Sequence, residues 1–300
     1  MASLRAHIFA WMVRRNVRDR LGRSLDVERM RATFEATAFI EPRGVAYEPG
    51  AVGGIPGEWV RRPCGTAGPR LFYLHGGGFV ACSPRTHRPV TGAFARRGFT
   101  VFAPDYRLAP EHPFPAGLDD ALAAWEAFAA EGPAAIGGDS AGGNLALALM
   151  LRARERGLPL PLAAVLFSPA TDFVGTGASY IENGQRDAMF DPEVLRHLAP
   201  LYLAGADPID PLVSPLYADL AGLPPLLLHV GAREVLRDDS VRLAERARAA
   251  GVTVSLRVFP VVPHVWQFAH AFLPEAHASL NAASTFLRAH ARRETREPAA

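Results

Sequence analysis

Three kinds of side chain, far apart in the chain, would perform nucleophilic acyl chemistry if the fold brought them together. Ser140 is the centre of Gly138-Asp139-Ser140-Ala141-Gly142, a G-x-S-x-G run. His264 follows Pro263 near the end of the chain, and Glu234, Asp238 and Asp239 lie between the two. A serine hydroxyl is a weak nucleophile until a neighbouring imidazole takes its proton. A carboxylate behind the imidazole fixes its tautomer and stabilises its charged form. The fourth piece is His75-Gly76-Gly77-Gly78-Phe79. Consecutive glycines let a backbone lie flat against a reacting group and aim amides at it. Each N–H donated to a tetrahedral oxyanion is worth on the order of 10²–10³ in rate. A phosphate loop fits this run poorly, because no Gly-Lys-Ser/Thr follows and the G-x-G-x-x-G spacing is absent.

Each piece needs an element to hold it. The apolar run that begins at Ala134 reads as a buried strand, and Leu145 to Arg152 is built of strong helix formers. Only a very tight turn fits between them, and Ser140 sits on it. A side chain at Gly138 or Gly142 would collide with the neighbouring strand or helix as the turn folds back. The turn lifts the hydroxyl above the sheet and sets the helix N-terminus, with its free N–H groups and positive dipole end, beside it. The triple glycine follows another buried run, Arg70 to Leu74.

Between and after these pieces the pattern alternates. Thr86 to Arg97 reads as a helix, Gly98 to Ala103 as a strand, and Leu118 to Ala130 as a helix. Leu162 to Phe167, Pro225 to Val230 and Val252 to Phe259 read as strands, with a helix from Val241 to Ala250 closed by Gly251 and a C-terminal helix to about Ala291. Val45 to Tyr47 and Glu58 to Arg62 look like an antiparallel pair ahead of them. The alternation argues an α/β protein with a mostly parallel, eight-stranded central sheet flanked by helices. In the proline-rich loop from Pro104 to Ala116, Asp105, Arg107 and Glu111 read as pairing with each other.

Two segments stand outside the alternation. Residues 1–41 read as two helices. The first carries Leu4, Ile8, Trp11 and Met12 on one side; the second is capped by Ser24 or Asp26 and carries Val27, Met30, Phe34 and Phe39. Residues 173–213 hold Tyr180, Met189, Phe190, Leu195 and Leu198 among scattered prolines and glycines. An insertion between a strand and the next helix, on the edge that carries Ser140, is where a lid would sit. The expected division is therefore cap helices at 1–41, a catalytic domain at 42–172 and 214–300, and a cap insertion at 173–213.

Composition narrows the function classes. The 300 residues carry 32 basic and 30 acidic side chains, a net charge of +2, which gives no reason to expect nucleic acid or an acidic membrane surface. Two cysteines, Cys64 and Cys82, make no disulfide framework and no metal spacing, so free thiols in a reducing cytoplasm are expected. No apolar run approaches the ~20 residues of a membrane span, and the N-terminus is too polar for a signal peptide.

Chain order assigns the roles. Nucleophile, then acid, then histidine is the order found in one large class of serine hydrolases. Ser140, an acid after residue 230 and a histidine after residue 259 fit it. His264 lies directly beyond the last strand; His75 more naturally holds the glycine loop in shape. Glu234 is in the loop itself, whereas Asp238 and Asp239 fall where the next helix starts, a position that favours capping. Glu234 is therefore the expected acid, with the two aspartates as the alternatives. Phe79, Phe190 and Trp266 are candidates to line a pocket.

Taken together, His75-Gly76-Gly77-Gly78-Phe79, Asp105-Tyr106-Arg107-Leu108-Ala109-Pro110-Glu111, Gly138-Asp139-Ser140-Ala141-Gly142-Gly143-Asn144 and Pro263-His264 resemble the bacterial hormone-sensitive-lipase-like esterases, from about Ile55 to the C-terminal helix. The resemblance implies an α/β-hydrolase fold with a helical cap built from the N-terminal helices and the insertion after Ser168. It implies oxyanion donors at Gly77 and Gly78, with Ala141 completing the hole, and short- to medium-chain acyl esters as substrates. The acyl-transfer chemistry itself requires no metal and no cofactor, and the resemblance implies a homodimer through the last strand, Val252 to Phe259, or its adjoining helix. Many members use Asp-x-Leu for the acid, where this chain has Glu234-Val235-Leu236, as in a glutamate-bearing subset. Gly54 to Trp59 and Ser83 to His87 look like members labelled monoterpene ε-lactone hydrolases, which makes lactone hydrolysis the alternative activity. The same fold also serves as a non-catalytic small-molecule receptor where the serine or histidine is lost; both are present here.

Overall fold

The apolar runs become the strands of one sheet. A computed structural model describes residues 2–19, 26–36, 39–63 and 68–294. Its strands are β1 (Ala46–Val52), β2 (Ile55–Arg61), β3 (Arg70–Leu74), β4 (Thr100–Pro104), β5 (Ala134–Asp139), β6 (Ala164–Phe167), β7 (Leu226–Gly231) and β8 (Val254–Phe259). They lie in the order β1-β2-β4-β3-β5-β6-β7-β8. Only β2 runs against its neighbours, β1 and β4; every other pairing is parallel.

Parallel strands need both faces covered, and β5, β6 and β7 are buried along their whole length. Side chains alternate between two cores. Phe72, Leu74, Ile136, Leu166 and Leu228 face one, under the helices Ala116–Ala130, Ala141–Glu155 and Arg237–Ala249. Leu71, Tyr73, Ala135, Val165 and Leu227 face the other, under Arg88–Arg96 and Pro274–Glu294. Because β3 to β8 run the same way, their C-terminal ends converge on one edge. Register brings Asp139 beside Phe167 and Phe167 beside His229, so the loops after β5, β6 and β7 leave the sheet side by side.

Two helical segments lie over that edge. Leu4–Val13 continues as a π-helical turn, Arg14–Arg18, and is followed by the helix Val27–Ala36. The stretch after β6 forms the short helix Ser179–Glu182 and the longer Pro192–Leu203. Asp26 caps the second N-terminal helix, its Oδ1 accepting the Glu28 N–H at 2.8 Å; Ser24 lies outside the described residues.

The first helix does not bury the stripe of Leu4, Ile8, Trp11 and Met12. Ala6, Phe9, Val13 and Val17 are buried, while Leu4, Ile8, Trp11 and Met12 are exposed. The helix carries an apolar stripe on each side, and periodicity alone does not say which stripe meets the body. The charges of the Pro104 loop also differ from expectation. Arg107 pairs with Asp120 at 2.8 Å and Glu111 with Arg31 at 2.7 Å. The loop is stretched between the helices Ala116–Ala130 and Val27–Ala36, so its charged side chains reach those helices instead of one another.

Candidate active site

The turn at Ser140 is as tight as the glycines require. Ser140 has φ +53° and ψ −121°, a strained backbone for a residue with a Cβ. A Cβ at Gly138 would lie 2.4 Å from the Gly142 carbonyl oxygen, and one at Gly142 would lie 2.1 Å from that of Leu74. The Ser140 N–H donates to Phe167 O at 2.8 Å, which ties the turn to the next strand.

The glycine loop lies beside it. Gly77 and Gly78 have φ +119° and +65°, and a Cβ at Gly77 would lie 2.1 Å from Ala81 O. Among the described residues no acceptor takes the N–H groups of Gly77 and Gly78, and Ala141, first in its helix, has no carbonyl one turn back. Beneath the loop is a buried polar cluster. The His75 ring stacks on Tyr106 at 4.2 Å, and the Tyr106 hydroxyl donates to His75 O at 2.6 Å. Burial pushes the His75 imidazole down to about 3, so it stays neutral. Asp139 accepts from the Tyr73 hydroxyl at 2.8 Å and lies 3.2 Å from His87 Nε2. Burial pushes the Asp139 carboxyl up, but His87 and Tyr73 outweigh it and hold the group below its ordinary value.

Of the three candidate acids, Glu234 meets the histidine: its Oε2 lies 2.7 Å from His264 Nδ1, with both side chains buried. Glu234 Oε1 accepts from the Ser168 hydroxyl at 2.9 Å and the Gly231 N–H at 2.5 Å. Burial pushes the His264 imidazole down, but its hydrogen bond and charge interaction with Glu234 outweigh this and leave it raised. His264 Nε2 is buried and has no hydrogen-bond partner among the described residues. The two aspartates look elsewhere. Asp238 accepts the Ser179 N–H at 2.9 Å, and Asp239 those of Thr171 at 2.6 Å and Asp172 at 3.0 Å. They sit in the first turn of Arg237–Ala249 yet bind the backbone after β6.

Ser140, His264, Gly77 and Gly78 border one cavity of about 390 Å³, a size that suits a small-molecule ligand. Its far walls are the N-terminal segment, through Phe9, Val13, Val17 and Met30, and the insertion, through Met189, Phe190 and Leu198. Phe79 lines it and stacks on Tyr202 at 3.7 Å; Phe190 lines it and meets the His264 ring edge-on at 4.9 Å. Trp266, expected with them, is fully buried against Phe259 at 4.7 Å and does not reach the cavity. Cys82 lines the cavity, its thiol pushed up to about 12 by burial; Cys64 lies outside the described residues.

Sequence reasoning missed the residues that hold the acid loop. Ser168 was visible only as the end of a strand. Its signal was topological: it follows the strand that lies between those bearing Ser140 and Glu234. Asn183 Nδ2 donates to Ala232 O at 3.1 Å and Glu234 O at 2.9 Å. Arg18 donates to the carbonyls of Gly184, Asp187 and Phe190 and pairs with Asp191 at 2.9 Å, joining the two covering segments. No spacing in the sequence announces these long-range contacts.

A strained serine above a parallel sheet, with a carboxylate-bound histidine on the same cavity, defines the class as an α/β-hydrolase. Comparison with known proteins agrees. Residues 71–268 match a family model described as the α/β-hydrolase fold. An acetyl-hydrolase of Streptomyces hygroscopicus is 41% identical over 269 residues, 83% of this chain and 90% of that protein. An esterase of Acinetobacter venetianus is 37% identical over 242 residues, 79% of this chain and 80% of that one. Among solved structures, a hormone-sensitive lipase from a metagenome library superposes with a TM-score of 0.91 at 38% identity, covering 97% of this chain and 99% of that chain. The chain belongs to the α/β-hydrolase family and, within it, to the carboxylesterases of the hormone-sensitive-lipase group.

Proposed function

We propose that this carboxylesterase hydrolyses short- to medium-chain acyl esters through a Ser140–His264–Glu234 triad and an acyl-enzyme. The observation that carries the reading is the 2.7 Å contact of Glu234 with His264 Nδ1, which leaves Nε2 unpartnered on the cavity that Ser140 borders. In this reading Ser140 Oγ gives its proton to His264 Nε2 and bonds to the ester carbonyl carbon. The tetrahedral oxyanion rests on the N–H groups of Gly77, Gly78 and Ala141. The carbon–oxygen bond to the alcohol then breaks, and the alcohol leaves with the proton from His264. Water, deprotonated by the same imidazole, cleaves the acyl-serine and restores the enzyme. Glu234 orients the ring and stabilises its charged form. Residues 1–41 and 173–213 act as a cap whose apolar walls bound the acyl chain, and the cavity volume favours short over long chains.

A p-nitrophenyl ester series of increasing acyl length, run on the wild type, Ser140→Ala and Glu234→Ala with an ε-lactone alongside, tests this. The expected result is turnover of the shorter esters, lost in Ser140→Ala and strongly reduced in Glu234→Ala. Rates that climb steadily with chain length beyond about ten carbons, too long for a cavity of ordinary ligand size, would overturn the bounded-cavity reading. A near-normal Glu234→Ala enzyme would overturn the acid assignment, and turnover of the lactone alone would overturn the ester preference.

A further inference from the structure

We infer that the outward face of the N-terminal helix is a docking surface for a lipid bilayer that carries anionic headgroups. The helix Leu4–Val13 spends one apolar stripe on the body and has a second to spare. Leu4, Ile8, Trp11 and Met12 are 76%, 50%, 59% and 45% exposed. At 100° per residue they share an arc of about 100°. Single exposed hydrophobic residues are ordinary, but a contiguous set on one face marks an interaction surface.

Two more exposed apolar residues flank the inward side of the helix. Phe272 is exposed and its ring meets Phe9 at 5.5 Å; Ile40, also exposed, follows Phe39, whose ring meets Phe9 at 6.3 Å. Val174 and Ile181, exposed on the insertion, border the cavity itself. Among the described residues, the exposed large hydrophobics other than Val258 on β8 and Phe272 lie on the two segments that cover the cavity, whose inner faces line it.

Charge selects the occupant. Residues 2–18 hold Arg5, Arg14, Arg15 and Arg18 and no acidic residue, although the whole chain is nearly neutral at +2. The overall balance hides this local excess. Arg18 is turned inward to Asp191, but Arg5 and Arg14 are at the surface and Arg15 lies over the exposed Trp11 ring at 5.7 Å. Apolar side chains flanked by arginines on long stems, with an indole among them, suit the boundary between headgroups and acyl chains. A second copy of the chain fits less well, because a two-fold contact through this arc would set the arginines of one copy against those of the other.

The helix is also held in place to present this face. Ser3 caps it, accepting the Ala6 N–H at 3.1 Å, and Ser3 N and Oγ both donate to Glu275 of the C-terminal helix at 2.7 and 2.9 Å. No helix of the described residues is long and apolar enough to cross a membrane, so the contact is peripheral. Docking on this face would set the cavity walls at the lipid surface.

The test is co-sedimentation of the full chain with vesicles of equimolar phosphatidylcholine and phosphatidylglycerol, alongside Trp11 fluorescence, with light scattering for the mass in solution. The expected result is vesicle binding with a blue shift of emission that disappears in Trp11→Phe. A Leu4→Gln/Ile8→Gln/Trp11→Gln variant, which keeps helix propensity, should lower partitioning at least about tenfold while its activity on a water-soluble ester stays at the wild-type level. Arg15→Ala should lower it roughly fivefold on these vesicles and leave pure phosphatidylcholine unaffected. Absence of vesicle binding, or a triple variant that binds as the wild type does, overturns the inference. So does a wild-type dimer that the triple variant splits, for then the arc is an interface between copies.

Discussion

The Asp187 carboxylate accepts the backbone N–H of Val235, the residue after Glu234, at 2.8 Å. Its other oxygen accepts the N–H groups of Met189 and Phe190 at 2.7 and 3.0 Å, so one buried aspartate joins the insertion to the acid loop. Asn183 adds its two bonds to Ala232 O and Glu234 O, and the Ser179 hydroxyl donates to Val235 O at 2.6 Å. The loop that carries the proposed triad acid thus takes its shape from the covering segment.

Truncating either side chain strands buried backbone groups, at about 1–3 kcal/mol for each group left unsatisfied. Asn183→Ala is expected to lower stability by that order and to lower kcat about tenfold with little change in KM, because the acid is displaced while the cavity walls remain. Asp187→Ala should be worse than Asp187→Asn, which keeps an acceptor. Steady-state kinetics and thermal melts on the three variants check this; a rise in KM at constant kcat would mean that the insertion acts only as a cover.

The proposed triad gives the pH dependence a definite sign. In the proposed mechanism His264 must be neutral to accept the Ser140 proton, and Glu234 holds its imidazole above the ordinary value against the pull of burial. The acidic limb of the kcat/KM profile is therefore expected above the limb of a free imidazole. In Glu234→Gln the burial contribution remains and the carboxylate is gone, so the limb should move to lower pH while the plateau falls by on the order of 10³–10⁴. Ser168→Ala keeps the charge and removes one donor to Oε1. It should lower the plateau about tenfold, and a pH–rate series on both variants separates charge from orientation.

The site was legible where it rests on local geometry. The turn at Ser140 and the glycine loop announce themselves because close backbone approach admits only glycine, as the 2.1 Å clash at Gly142 makes plain. The strands were legible because parallel strands buried on both faces are continuous apolar runs. Legibility stopped where the contact is long-range or two-sided. The stripe of Leu4, Ile8, Trp11 and Met12 and that of Ala6, Phe9 and Val13 have the same helical period, so only the body decides between them. Asp239 read as a cap because it opens a helix, yet its carboxylate serves the backbone of Thr171, 68 residues earlier.

The buried Asp239 carboxyl also couples stability to pH. Burial, with Asp172 nearby, pushes its carboxyl from an ordinary 3.8 up to about 8, although the N–H groups of Thr171 and Asp172 pull the other way. Within that window the folded chain holds a proton that the unfolded chain releases. The folded state therefore loses stability as pH rises through the window. Asp239→Asn keeps an acceptor for the two N–H groups and has no proton to lose. Its stability relative to the wild type should improve with pH by up to about 1.4 kcal/mol per unit inside the window. Urea titrations at several pH values measure this directly, and a difference independent of pH would refute it.

The strained turn at Ser140 leaves no room for a Cβ at Gly142. Gly142→Ala would set a Cβ 2.1 Å from Leu74 O and 2.4 Å from His75 O, both backbone atoms that no rotamer change can clear. Relief has to come from moving the helix Ala141–Glu155 away from β3, and Ser140 and the Ala141 N–H move with it. A displacement of about 1 Å between reacting groups costs on the order of 10²-fold in rate. Gly143→Ala meets Pro169 Cβ at 2.9 Å and Pro169 Cα at 3.2 Å, so the loop after β6 has to give by a few tenths of an ångström, a milder clash than the one at Gly142. The pair should therefore split: Gly142→Ala loses at least about 10² in kcat with a lowered melting temperature, and Gly143→Ala loses markedly less of both. Covalent labelling of Ser140 by an organophosphate, timed in both variants, reads the displacement independently of substrate binding. Equal labelling rates would mean that the elbow relaxes without moving its serine.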